Sequence, residues 1–276
     1  MIPAPFDFHR AASVDEAVEV LAAHGDDAKL LAGGHSLLPL MKLRLAQPAV
    51  LVDIGRLADL AFLSDGSGTV RIGALTRHHD LATSDLVREQ VPLLAHVAAQ
   101  IGDPQVRHRG TIGGSVAHGD PASDLPAALL ALRATIVVRG PGGEREIAAD
   151  DFFTGFLETA LAPDEVLTEI RVPAVPGAGW GFEKFTRRAQ DWAIVGVAAV
   201  LAEGAGGPGV ALVNMGSLPL RAGGVEDALR SGSPVSDAAD RADEGTEPPE
   251  DLNASPEYRR HLARVLVRRA LETASG

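Results

Sequence analysis

The chain has no cysteine, one tyrosine and two tryptophans, and aromatic residues make up only 4% of its 276 positions. Without cysteine it forms no disulfide and offers no thiolate to zinc or to an iron–sulfur cluster, so any cluster in its pathway must sit on another polypeptide. Positive charge is also scarce: 25 lysines and arginines face 37 aspartates and glutamates, a formal net charge of -12. That balance opposes the phosphate attraction on which nucleic-acid binding depends, and no basic block offsets it. The N-terminal residues lack a basic start followed by an apolar run, and no stretch reaches about 18 uncharged apolar residues. A cytoplasmic protein, with no membrane insertion and no nucleic-acid partner, is the expectation.

What is present is a chain able to bury a core, with 46% hydrophobic residues, and rich in loops, with 30 glycines and 18 prolines. Ser13-Val14-Asp15-Glu16 is a capping box; behind it Val14, Ala17, Val18 and Leu21 share one face of a helix that Gly25 would end. Residues 29–32 and 50–54 read as strands around a short helix at 37–45. A second unit opens with a strand at 70–74, a short helix capped by Thr76, and one helix over about 85–101. It continues through a glycine turn at 113–114, a helix at 123–132, a strand at 135–138, a hairpin at 140–143 and a strand at 166–172. Residues 173–179 read as a linker. Strands at 182–186, 193–201 and 210–215 then precede helices at about 224–230 and 257–273, an α+β arrangement. The acidic stretch 237–251, with its Pro248-Pro249 pair, reads as a solvated connector.

Two glycine pairs are the strongest chemical signals. Ala32-Gly33-Gly34-His35-Ser36 lies between a strand and a helix, where residues without Cβ let successive N–H groups converge on an anion near a helix N-terminus. Thr111-Ile112-Gly113-Gly114-Ser115 repeats the pattern, and two such turns suit a pyrophosphate-bridged ligand. Asp124, near a helix start, either accepts hydrogen bonds from a ribose or caps its helix. Lys184 alternates with aromatic residues on a strand and either reaches a bound anion or faces solvent. Trp192 either stacks on a flat ring or packs. Gly204-Ala205-Gly206-Gly207-Pro208-Gly209 matches G-x-G-x-x-G in form, but a strand follows it, so it reads as a hairpin loop. Neither Ser36 nor Ser115 lies in G-x-S-x-G, and the nine histidines include no H-E-x-x-H; surface or packing roles and no metal are expected for them.

At this separation the two glycine motifs resemble the FAD-binding motifs in the medium subunits of aerobic carbon monoxide dehydrogenase and related molybdenum hydroxylases of the xanthine dehydrogenase type. The start Phe6-Asp7-Phe8, the run Leu37-Leu38-Pro39-Leu40-Met41-Lys42-Leu43-Arg44, the segment Asp120-Pro121-Ala122-Ser123-Asp124-Leu125-Pro126 and Pro256-Glu257-Tyr258-Arg259-Arg260 are similar as well, so the resemblance spans essentially the whole chain. It implies an α+β fold: a two-lobed FAD domain of the vanillyl-alcohol-oxidase type over 1–176, with lobes of about 1–57 and 58–176, then a smaller flavoprotein domain over 177–276 with a three-stranded sheet and helices. It implies that residues 32–36 and 111–115 hold the FAD diphosphate and its neighbours, that Asp124, Leu167 and Lys184 line the cofactor site, and that Trp192 approaches the isoalloxazine. Ser115 departs from relatives that carry asparagine there. The implied partners are a large molybdopterin-binding subunit and a small subunit with two 2Fe-2S clusters, in a heterotrimer that dimerises, with electrons passing through FAD to a quinone, NAD or oxygen. A stand-alone flavin reductase or oxidase and a non-catalytic nucleotide-binding protein are the alternatives.

Overall fold

A computed structural model describes residues 2–202 and 206–276. The first lobe is a three-stranded parallel sheet: β1 (Asp7–Arg10) and β2 (Ala28–Leu31) flank β3 (Val50–Asp53), with α1 (Val14–His24) and α2 (Leu37–Lys42) in the connections. The expected helix start is present, although the Glu16 carboxylate reaches one residue further back than a capping box requires. Ser13 Oγ accepts from the Glu16 amide, Glu16 in turn accepts from the Ala12 amide at 2.6 Å, and Gly25 ends the helix at φ 54°. Ala17, Val18 and Leu21 are buried as the spacing requires.

The second lobe is a five-stranded antiparallel sheet of β4 (Leu63–Asp65), β5 (Thr69–Gly73), β6 (Thr135–Gly140), β7 (Gly143–Ala148) and β10 (Val166–Pro173), with β10 central. Its helices are α3 (His78–Thr83), α4 (Asp85–Gln90), α5 (Pro92–Gln100), α6 (Pro104–Arg107), α7 (Ile112–His118), α8 (Asp124–Ala131) and α9 (Ala149–Phe152); β8 (Phe153–Gly155) and β9 (Glu158–Thr159) form a separate hairpin. The helix expected over 85–101 is broken at Val91, because Pro92 has no N–H to donate and pushes Val91 out of the helical region, to ψ 60°. Thr76 does not cap α3. Arg77 holds that position, and Thr76 Oγ1 donates instead to the Phe62 carbonyl at 2.9 Å.

The C-terminal unit has β11 (Gly179–Phe185), β12 (Val195–Leu201), β13 (Gly209–Val213) and β14 (Leu220–Arg221), followed by α10 (Gly223–Arg230), α11 (Val235–Ala239) and α12 (Pro256–Ser275). The sheet has four strands where three were expected, the two-residue β14 being too short to leave a pattern. Strand β12 is buried on both faces. Val195, Val197 and Ala199 join the core under α12, while Ala198 and Val200 join the core of the second lobe, the period of two that a sandwiched strand requires. Strand β11 starts at Gly179, inside the expected linker. A Cβ at Gly179 or Gly181 would overlap the carbonyl oxygens of Ala274 or Ala270, so these glycines admit the backbone of α12 onto the sheet. The stretch 237–251 is no simple solvated connector: Ala238, Ala239 and Ala242 are buried in the C-terminal core, while Asp240 and Asp243 pair with Arg268 and Arg264 of α12. Part of the loop expected at 204–209 lies outside the described residues; β12 and β13, which it joins, pair antiparallel as a hairpin does.

Candidate functional site

The segment 32–36 leaves β2 and turns into α2 with Gly34 at φ 77°. Among the described residues, the main-chain amides of residues 33–37 donate to no protein acceptor. Five adjacent donors without partners need water or a ligand. Gly33 abuts the second motif: its Cβ position overlaps the Arg109 carbonyl oxygen and lies 3.0 Å from the Gly110 Cα. The Arg77 guanidinium donates to that same carbonyl.

The second motif is built differently from the turn the sequence suggested. Thr111 is the N-cap of α7, and residues 112–115 are its first turn. Their amides are all spent inside the protein: Ile112 on the Thr76 carbonyl, Gly113 on that of Ala74, Gly114 on Thr111 Oγ1 and Ser115 on the Thr111 carbonyl, at 2.9–3.1 Å. Neither glycine has positive φ. Gly113 is needed because a Cβ there would stand 2.6 Å from that of Ala74. Ile112 is fully buried in the main core and does not line the cavity that runs along the two motifs. This motif contributes a close-packed wall in place of a second set of free amides.

One cavity of about 780 Å³ runs along both motifs. Every residue expected to hold cofactor lines it except Ile112, so the fold brings Ala32, Gly33, Gly34, His35, Ser36, Thr111, Gly113, Gly114, Ser115, Asp124, Leu167, Lys184 and Trp192 together. Asp124 does not cap its helix and Lys184 does not simply face solvent: the buried carboxylate pairs with the half-buried ammonium at 2.6 Å. Asp124 Oδ1 is buried with no partner. Burial pushes the Asp124 carboxyl up, with the Lys184 ammonium pulling against it. Trp192 is 60% exposed on the wall and is not packed into a core of this chain.

His78 escaped the sequence reading. An adjacent histidine pair carries no period that says which ring turns inward, and only the tertiary fold decides. His79 stacks on His108 with centroids 4.0 Å apart, while His78 is buried, lines the cavity and leaves Nδ1 without a partner. Gln190, Asp191 and the β8–β9 hairpin also line the cavity, from loops that show no motif. Burial, then the charges of His35, Arg77 and Arg107, lower the His78 pKa from 6.5 to about 4. The unfolded chain therefore binds a proton at higher pH than the folded one, and stability is lost as pH falls from 6.5 towards about 4. At 1.36 kcal/mol per unit this is roughly 3 kcal/mol. Urea midpoints at about pH 7 and about pH 5 should differ less in His78→Gln than in the wild type; equal differences would disprove this assignment.

Among the described residues, no group of three histidines, aspartates or glutamates is placed to hold a metal, and no helix is long and apolar enough to cross a membrane. The site instead offers five free amides for an anion, an unpartnered buried carboxylate oxygen for a donor, and an exposed indole for a flat ring. These features define a binding site for a dinucleotide cofactor within an α+β fold. FAD, whose diphosphate joins two flat heterocycles, fits that donor set.

Comparisons with known proteins identify the family. Residues 4–175 match the FAD binding domain in molybdopterin dehydrogenase, and residues 180–274 match the CO dehydrogenase flavoprotein C-terminal domain. The chain is 46% identical to the carbon monoxide dehydrogenase medium chain of Hydrogenophaga pseudoflava, over 99% of this chain and 98% of that one. It is 32% identical to the xanthine dehydrogenase FAD-binding subunit of Escherichia coli O157:H7, over 70% of this chain and 68% of that one. Solved structures agree: carbon monoxide dehydrogenase from Hydrogenophaga pseudoflava superposes with a TM-score of 0.96 at 47% identity, covering 100% of this chain and 99% of that one. Quinoline 2-oxidoreductase from Pseudomonas putida 86 does so with 0.92 at 34%, covering 100% and 99%. The chain belongs to the FAD-binding medium subunits of the molybdenum hydroxylase family, and is thus an oxidoreductase subunit whose cofactor is FAD.

Proposed function

We propose that this subunit relays electrons within a cytoplasmic complex, receiving them from 2Fe-2S clusters on a small partner and delivering them through FAD to an external acceptor, while a large molybdopterin-binding partner oxidises the substrate. The observation that carries the reading is the convergence on one cavity of five free amides and a buried carboxylate oxygen without a donor. The absence of cysteine supports clusters on another chain. Relatives named carbon monoxide dehydrogenase and xanthine dehydrogenase support the complex.

In this reading residues 1–176 form the cofactor domain, in lobes of about 1–57 and 58–176, and residues 177–276 form the flavoprotein domain. The amides of 33–37 hold the diphosphate, with His35 and Ser36 beside them. Thr111, Gly113, Gly114 and Ser115 form the opposite wall, with Ile112 anchoring it from the core. Lys184 holds one oxygen of Asp124 and opposes the rise that burial gives its carboxyl, leaving the other oxygen to meet a polar group of the cofactor. Leu167 and Trp192 exclude water from the ring. Bound FAD supplies the redox chemistry, accepting and passing electrons one or two at a time.

Purification from the native host tests this. A brown complex of three polypeptides holding molybdenum, iron and FAD is expected, with its visible absorption bleached on substrate addition. Flavin turnover by this chain without partners would instead favour a stand-alone enzyme. A colourless chain that takes up no FAD would favour a non-catalytic nucleotide-binding protein.

A further inference from the structure

The loop between β11 and β12 carries Gln190, Asp191 and Trp192 into the cavity, and its return end is pinned by two side chains that do not line the cavity. Asn214 Nδ2 donates to the Ala193 carbonyl at 2.8 Å. The Arg259 guanidinium donates to the next carbonyl, that of Ile194. The Ile194 amide closes the base of the loop on the Phe185 carbonyl at 2.8 Å.

Asn214 does more. It follows β13 at φ 61°, a conformation that glycine adopts more easily than any L-residue. Its amide donates at 2.8 Å to the carbonyl of Pro121, in the segment whose Ala122, Ser123 and Asp124 line the cavity. A strained asparagine thus ties the wall that holds Asp124 to the wall that holds Trp192. Glycine would relieve the strain but could not make the side-chain bond. Arg259, fully buried in the first turn of α12 and paired with Asp251 at 2.7 Å, brings the C-terminal helix to the same point.

We propose that Asn214 and Arg259 are positioning residues, which hold the Trp192 loop against the flavin end of the cavity by clamping the consecutive carbonyls of Ala193 and Ile194. The inference rests on the flavin reading of that cavity. Neither residue touches the cofactor site, and each acts through the loop.

Asn214→Gly separates this role from a structural one, because it deletes the donor while relaxing the backbone. In the full complex, its melting temperature should stay within a few degrees of the wild type, because relief of the positive φ offsets the lost bond and the freer unfolded chain. FAD should nevertheless leave about five-fold faster, the value of one neutral hydrogen bond. Asn214→Asp, which sets a carboxylate against the carbonyl, should be faster still, and Arg259→Lys should retain more of the clamp than Arg259→Met. In a Trp192→Ala background the Asn214→Gly change should add little, since the route runs through that loop. Amide exchange across 187–193 of the flavin-free chain should rise in Asn214→Gly, which reads the loop without any cofactor. Wild-type exchange in that variant, or an undiminished five-fold effect in the Trp192→Ala background, would overturn the proposal. A wild-type complex that never holds flavin would sink the flavin reading, with the exchange result left standing.

Discussion

Gly33→Val should leave a folded chain that has largely lost FAD. The Cβ of any residue at 33 would overlap the Arg109 carbonyl oxygen, with the Arg109 carbonyl carbon and the Gly110 Cα both 3.0 Å away. All three atoms are backbone, so no rotamer relieves the clash; the free amides of 33–37 must move off the Arg109–Gly110 segment that leads into α7. Overpacking of this kind costs about 1–3 kcal/mol. Spent at a binding loop, that is about a 5- to 150-fold loss of affinity. Gly114→Ala is the comparison, because its Cβ would meet only Thr111 Oγ1, at 2.8 Å, and it should lose less than about ten-fold. Flavin titration of both variants, with circular dichroism to verify the fold, makes the test. Equal losses at the two glycines would contradict it, as would full flavin loading in Gly33→Val.

Lys184→Met should cost stability and make that stability depend on pH. It removes the partner of a carboxylate that is only 6% exposed. Breaking a buried pair costs about 3–5 kcal/mol, and the lower end applies here because Asp124 can take up a proton. Burial already raises the Asp124 pKa above 3.8, and loss of Lys184 removes the charge that opposes the rise. A raised carboxyl binds its proton more tightly in the folded than in the unfolded chain. Stability is then greatest in acid and falls as pH rises from about 3.8 through the raised value. Denaturant midpoints of Lys184→Met should therefore fall more steeply with pH than those of the wild type, and Asp124→Asn added to Lys184→Met should flatten the profile. A parallel pair of profiles would show that the two groups are not coupled.

Much of this was legible in the sequence where one residue type has one physical use. The Ser13 cap, the Gly25 stop and the apolar face of α1 are local, and no tertiary contact overrides them. The motif at 32–36 was readable because Gly34 needs its positive φ. The motif at 111–115 misled in detail: paired glycines look the same whether they serve a turn or, as at Gly113, the approach of a helix to Ala74. Gly179 and Gly181 hid the start of β11 for the same reason, since glycine reads as linker until a helix is laid across it. The parts played by His78, Asn214 and Arg259 could not be read, because burial decides the first and carbonyl partners distant in sequence the other two.

The two walls of the cavity differ in how finished they are. The first turn of α7 is hydrogen-bonded to Ala74, Thr76 and its own cap, so it is a rigid template before any ligand arrives. In the 33–37 strip the carbonyls of Gly34 and Ser36 accept from the Leu38 and Leu40 amides, but the amides of 33–37 have no protein acceptor among the described residues and are left to water or a ligand. If, as proposed, the cofactor diphosphate binds this strip, capture is on that side the last step of folding and the two equilibria are linked: saturating FAD should raise the stability of the first lobe, and whatever loosens that lobe should weaken the grip on FAD by the same free energy.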